Sequence, residues 1–171
     1  MSTETEWQMT WNDSWKRLPR SNSSRSMRAR LREFRALPRA QKLLLCEAVV
    51  LIVASKVLLA VAGLEDAERY FGMVSQYLPC HRQSGSPESV RWAVLTAGSR
   101  LPGSYDCLDR ALTGSTLLVA NDLPHRLRFG VDTQSETFEA HAWIESNGAV
   151  LIGDVDDFGR FRTLTEREVR G

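Results

Sequence analysis

Asn147-Gly148 constrains the fold of this chain more than any other pair of residues in it. A type I′ turn needs positive φ at both central positions, and Asn-Gly is the dipeptide that tolerates it best, so the pair reads as a two-residue hairpin loop. The flanks agree: Phe138-Glu139-Ala140-His141-Ala142-Trp143-Ile144-Glu145 precedes the turn, and Ala149-Val150-Leu151-Ile152 follows it. With a two-residue loop, Ser146 pairs with Ala149, Ile144 with Leu151, and His141 with Asp154. Directly opposed residues of an antiparallel pair share one face at roughly 4.5–5.5 Å between Cβ atoms. The register therefore predicts a carboxylate beside an imidazole.

A nucleophile candidate lies upstream. Cys107 sits in Pro102-Gly103-Ser104-Tyr105-Asp106-Cys107-Leu108-Asp109-Arg110-Ala111. Leu108, Ala111, Leu112, Ser115 and Val119 recur at helical spacing. Ser104 and Asp106 are both credible N-caps, Asp109 has a box-like spacing from Asp106, and Pro124 lies past the end. Cys107 is thus expected at a helix start, where orphan N–H groups and the helix dipole favour a thiolate. An adjacent imidazolium favours it further, whereas Asp106 and Asp109 oppose it unless they point away. A thiol so placed, with a histidine to move protons and a carboxylate to fix its tautomer, is the machinery of cysteine acyl transfer. Asp156, two residues beyond the paired position, and Asp157, of the wrong strand parity, are rival orienters. Taken singly, a cysteine at a helix start is a small core residue and a strand histidine a satisfied imidazole. Their joint occurrence with the hairpin register points to catalysis.

Charge divides the chain unevenly. Residues 1–42 carry ten Lys or Arg and four acids, and residues 43–171 carry twelve and seventeen. Between Lys16 and Lys42 the only acid is Glu33. This is a solvated basic stretch, or one that meets an acidic partner or an anionic membrane; no nucleic-acid-binding motif accompanies it. Residues 1–30 read as a polar, basic tail in which Trp7, Trp11 and Trp15 form a stripe suited to docking. Residues 31–171 read as one domain. Within it, Leu43 to Gly63 is an apolar run approaching spanning length, interrupted by Glu47, Ser55 and Lys56. A buried helix capped by Gly63 is expected rather than a span, with peripheral membrane contact as the alternative. Cys46, inside that run, reads as core.

Further helices are expected over 66–78 and 88–99, joined by a loop over 79–87. Strands are expected over 126–132, 137–146 and 149–154. After a loop over 156–162, Thr163 or Thr165 has the spacing to cap a short last helix with Glu166 or Glu168. The fold class is α+β, a helical N-terminal half packed on a small antiparallel sheet. Three cysteines without a signal peptide fit a reducing cytoplasm. Cys80-His81 has no companion ligands in sequence, so neither a metal nor a cofactor is expected.

Cys107-Leu108-x-Arg110-Ala111-Leu112, Leu127-x-Phe129-Gly130-Val131, Phe138-x-Ala140-His141-Ala142-Trp143-Ile144-Glu145 and Gly148-x-Val150-Leu151 together resemble the leader peptidase of lasso-peptide biosynthesis. The resemblance covers about residues 40–165 and implies a papain- or transglutaminase-like core. It also implies ATP-independent removal of the leader from a ribosomally made precursor peptide. By the family pattern Cys107 is the nucleophile, His141 the base and Asp154 the orienter. The family depends on a small strand-rich leader-binding domain. The residues before the first core helix are too few and too polar for one, so a separate leader-binding recognition protein is expected as a partner, beside a cyclase. Two other readings stand beside this one: a transglutaminase-like acyltransferase, and a non-catalytic scaffold of a peptide-modifying complex. Thiol reactivity separates them, since a scaffold needs no activated Cys107.

Overall fold

The computed structural model describes residues 27–78, 86–132, 140–153 and 161–169. The chain divides into two compact units, residues 1–36 and 37–171. Of the first, the described part is helix α1 (Met27–Ala36), whose Arg28, Arg30, Arg32 and Arg35 belong to the basic stretch. The tryptophan stripe at Trp7, Trp11 and Trp15 lies outside the described residues.

The second unit opens with the apolar run, which forms α2 (Arg39–Val61). Leu44, Leu45, Ala48, Leu51, Ile52 and Ser55 repeat at helical spacing and are buried. The helix is buried on this face alone. Leu43, Val50, Val53, Val57 and Val61 are exposed on the other. Cys46 is exposed as well, which corrects its assignment to the core: it falls on the solvent side of the stripe. Arg39–Val61 is long and apolar enough to cross a membrane by length and composition, although part of it is buried inside the protein. It ends at Ala62, and Gly63 takes φ +82 to open α3 (Leu64–Tyr77), so that glycine serves the junction of two helices.

Helix α4 (Pro87–Arg100) starts with Ser86 accepting from the Ser89 amide and with Pro87 in the first turn, the residue types such a start requires. Helix α5 (Cys107–Ala120) follows; α2 packs on both α4 and α5. Val90, Ala93, Val94 and Ala97 of α4 and Ala111, Leu112, Leu117 and Leu118 of α5 complete the helical core.

Four strands follow: β1 (His125–Asp132), β2 (Ala140–Ser146), β3 (Ala149–Ile152) and β4 (Phe161–Val169). They form an antiparallel sheet in the order β3-β2-β1-β4. Helix α5 lies against β2, with Ile144 and Ile152 reaching Gly114. A Cβ on Gly114 would meet the Ile152 Cδ1 at 2.5 Å and the Ile144 Cδ1 at 2.9 Å, so glycine there sets how closely the helix approaches the sheet. The architecture is the expected α+β arrangement.

Two local expectations are corrected. Phe161–Val169 is a strand paired with β1, where a short helix was expected. The Thr-x-x-Glu spacing is a weak local signal, while Phe161, Thr163 and Thr165 alternate and the outer edge of β1 needs a partner. The hairpin loop is as read, with Asn147 at φ +53, Gly148 at φ +78 and Ser146 opposite Ala149. One step further the register shifts: Glu145 pairs with Val150, but Ile144 pairs with Ile152 and not with Leu151. A β-bulge adds one residue to β3 and moves everything beyond it by one position.

Candidate active site

Asp106 is the N-cap of α5 and Cys107 its first helical residue. A capping box fixes this start, with the Asp106 amide donating to Asp109 Oδ2 at 3.0 Å. The first-turn N–H groups of the helix have no intrahelical acceptor, so the thiol sits where the backbone presents donors. Cys107 is half-buried, and its Sγ lies 4.0 Å from the Ala140 carbonyl oxygen, at the start of β2.

His141 is the next residue of that strand, opposite Gly130 of β1. Its ring meets the thiol: the contact with His141 is among the causes that set the Cys107 titration. Burial pushes that thiol up. The hydrogen bond from His141, the backbone N–H groups of Ala142 and Leu108, and the charge on the imidazole pull it down, and the net position is below the ordinary thiol value of 9.0. The thiolate is thereby a larger fraction at any given pH than in an unperturbed cysteine.

The other side of the imidazole is held by backbone. His141 Nε2 lies 2.8 Å from the Gly153 carbonyl oxygen. A carbonyl accepts, so Nε2 carries the proton and donates. That leaves Nδ1 as the nitrogen available to the thiol. Gly153 has φ +93, and a Cβ there would lie 2.7 Å from the Ala142 oxygen and 2.8 Å from the Trp143 Cβ. Only glycine fits this bend, and the bend aims the carbonyl at His141. Two aromatic rings flank the imidazole: Trp143 stacked at 6.1 Å and Phe161 tilted at 5.4 Å. Gly130 leaves room for them, since a Cβ there would meet the Trp143 ring at 3.0 Å and the Phe161 Cβ at 3.2 Å. Trp143 is fixed in turn by donating to Glu145 at 3.0 Å, and Glu145 pairs with Arg128.

The structure thus brings together Cys107 and His141, two of the residues singled out from sequence. The third, Asp154, and its rivals Asp156 and Asp157 lie outside the described residues, as does Cys80-His81. The bulge removes the reason for placing Asp154 directly opposite His141, because the paired position is displaced by one. Gly153, Trp143 and Phe161 were not found from sequence as parts of the site. A carbonyl ligand leaves no side-chain signature, and Phe161 lay in a segment read as polar loop. Among the described residues no group of three or more His, Cys, Asp or Glu is placed to hold a metal ion.

A sequence model of the transglutaminase-like superfamily matches residues 8–166, nearly the whole chain. Neither the curated proteins nor the solved structures yield a match. That superfamily match supports a cysteine peptidase or acyltransferase type of function.

Proposed function

The chain belongs to the transglutaminase-like superfamily, and from that premise we propose that it is a cysteine peptidase that removes the leader from a ribosomally synthesised lasso precursor peptide. It acts with a separate leader-binding protein and a cyclase. The observation that carries this reading is the activated pair: a thiol at a helix start, lowered in pKa by an imidazole whose far nitrogen is tied to the Gly153 carbonyl. The lasso assignment rests on the motifs around Cys107 and His141.

In this reading the Cys107 thiolate attacks the scissile carbonyl, forming the C–S bond, while the oxyanion takes a hydrogen bond from the Cys107 N–H. Protonated His141 gives its Nδ1 proton to the leaving amine as the C–N bond breaks. The neutral ring then takes a proton from water, whose hydroxide attacks the thioester and releases the acid and the thiolate. Asp154, next in the chain after Gly153, adds a carboxylate that stabilises the imidazolium.

The test is incubation with candidate precursor peptides, with and without a leader-binding protein, read by mass spectrometry. A single cut between leader and core is expected, stimulated by the leader-binding protein and absent in Cys107→Ala. Asp154→Ala lowers kcat with little change in peptide affinity. Retention of near wild-type turnover by Cys107→Ala would falsify the peptidase assignment, and amine adducts in place of cleavage would reassign the chain as an acyltransferase.

A further inference from the structure

Ser55 and Lys56 are adjacent polar residues in the apolar run of α2, and both face the start of the nucleophile helix. Asp109, almost wholly buried, is the focus. Its Oδ1 lies 3.2 Å from the Ser55 hydroxyl, which is also 2.9 Å from the Ile52 carbonyl. Its Oδ2 accepts from the Asp106 amide at 3.0 Å and lies 3.5 Å from Lys56 Nζ. The same ammonium is 3.2 Å from Asp106 Oδ2. One cation on α2 thus bridges two carboxylates that stand on either side of Cys107 in sequence.

We infer that Lys56 is a positioning residue for the nucleophile. It pins the first turn of α5 to α2 and cancels carboxylate charge that would otherwise disfavour the Cys107 thiolate. Without Lys56, the described groups near the thiol are Asp106 and Asp109 on its own helix and His141 on β2. Two like charges then oppose the negative form, against the support of the imidazole and the backbone N–H groups of Ala142 and Leu108. Asp109 cannot shed its burden to water, because it is buried; its compensation has to come from within the protein. Lys56 is itself held above its ordinary value, first by its hydrogen bond to Asp106. This inference rests on Cys107 being the nucleophile, and its test uses thiol titration, so that it stands or falls separately from any peptide-cleavage result.

The experiment measures the rate of iodoacetamide alkylation at Cys107 against pH in the full chain, with labelling sites assigned by mass spectrometry. Lys56→Met is expected to move the profile up by about 0.5–1 pH unit, a fall of about three- to tenfold in rate on the low-pH limb. Lys56→Arg keeps the wild-type profile. The double variant Lys56→Met/Asp106→Asn returns the profile toward wild type, because asparagine still caps the helix but carries no charge. Raising the salt to 1 M narrows the gap between Lys56→Met and wild type. A purely mechanical anchor gives a different pattern: the double variant stays impaired or worsens, and salt has no effect. That pattern, or an unmoved profile in Lys56→Met, overturns the assignment.

Discussion

At the scale of single residues, the site is organised by groups whose chemistry is not evident from their names. The histidine and the cysteine were legible from sequence because thiol and imidazole are rare and their local patterns are specific. The acceptor for the imidazole was not, because it is a backbone carbonyl whose position depends on one bulge and one positive φ. Gly153→Ala tests this. The substitution forces an L residue to φ +93 against the Ala142 oxygen, a strain of about 1–3 kcal/mol visible as a lower Tm. It also releases His141, so the Cys107 alkylation profile shifts to higher pH. A lower Tm with an unchanged profile would show that Gly153 shapes the chain without orienting the ring. A second histidine gives a pH signature of its own. His125 is buried, with Nδ1 donating to the Leu123 carbonyl and Nε2 2.7 Å from the Ser115 hydroxyl. Burial holds it below its ordinary 6.5. The unfolded chain therefore takes up this proton at a higher pH than the folded one. The stability contribution is complete above pH 6.5 and is lost as pH falls from there toward the lowered folded value, by at most about 1.4 kcal/mol per pH unit. Urea midpoints between pH 7.5 and 5.5 should fall in the wild type and fall less in His125→Gln.

At the scale of elements, period and punctuation located most of the structure. Asp106 and Asn147-Gly148 were legible as boundaries because each answers a specific backbone demand, whereas Gly63 opens α3 in place of closing α2, and Ser86-Pro87, which starts α4, fell at the end of a segment read as loop. The last strand was missed because what decides it is the open edge of β1, a partner far away in sequence. The bulge in β3 was missed for a related reason: a regular hairpin and a bulged one share the same turn residues. The contact that matters most between elements is α5 on the sheet, since it sets where the thiol stands relative to β2. Gly114→Ala inserts a methyl group against Ile144 and Ile152. Repacking two flexible isoleucine ends costs about 1–3 kcal/mol, despite the better helix propensity of alanine. The expected outcome is a lowered Tm together with slower Cys107 alkylation, as the helix moves off the sheet and the thiol away from His141. Slower alkylation without a change in Tm would mean that the helix position is set elsewhere.

At the scale of the residue 37–171 unit, α2 is the member on which the rest is assembled. Its inner face buries against α4 and α5 and supplies the Ser55 and Lys56 contacts to the start of α5. From sequence the run read as a buried helix interrupted by Glu47, Ser55 and Lys56, and periodicity alone could not say that its other face would remain uncovered. The outer face leaves Leu43, Val50, Val53, Val57 and Val61 in contact with water, Val61 at 82 % exposure. Exposed apolar area of this kind governs how a protein behaves in bulk as well as what it binds. Salts excluded from protein surfaces raise the free energy of wetted hydrocarbon, so this chain should salt out early in an ammonium sulfate series. A ridge of valines on a folded surface is thus a handle for fractionation, set by the same residues that stop α2 from being a helix buried all round.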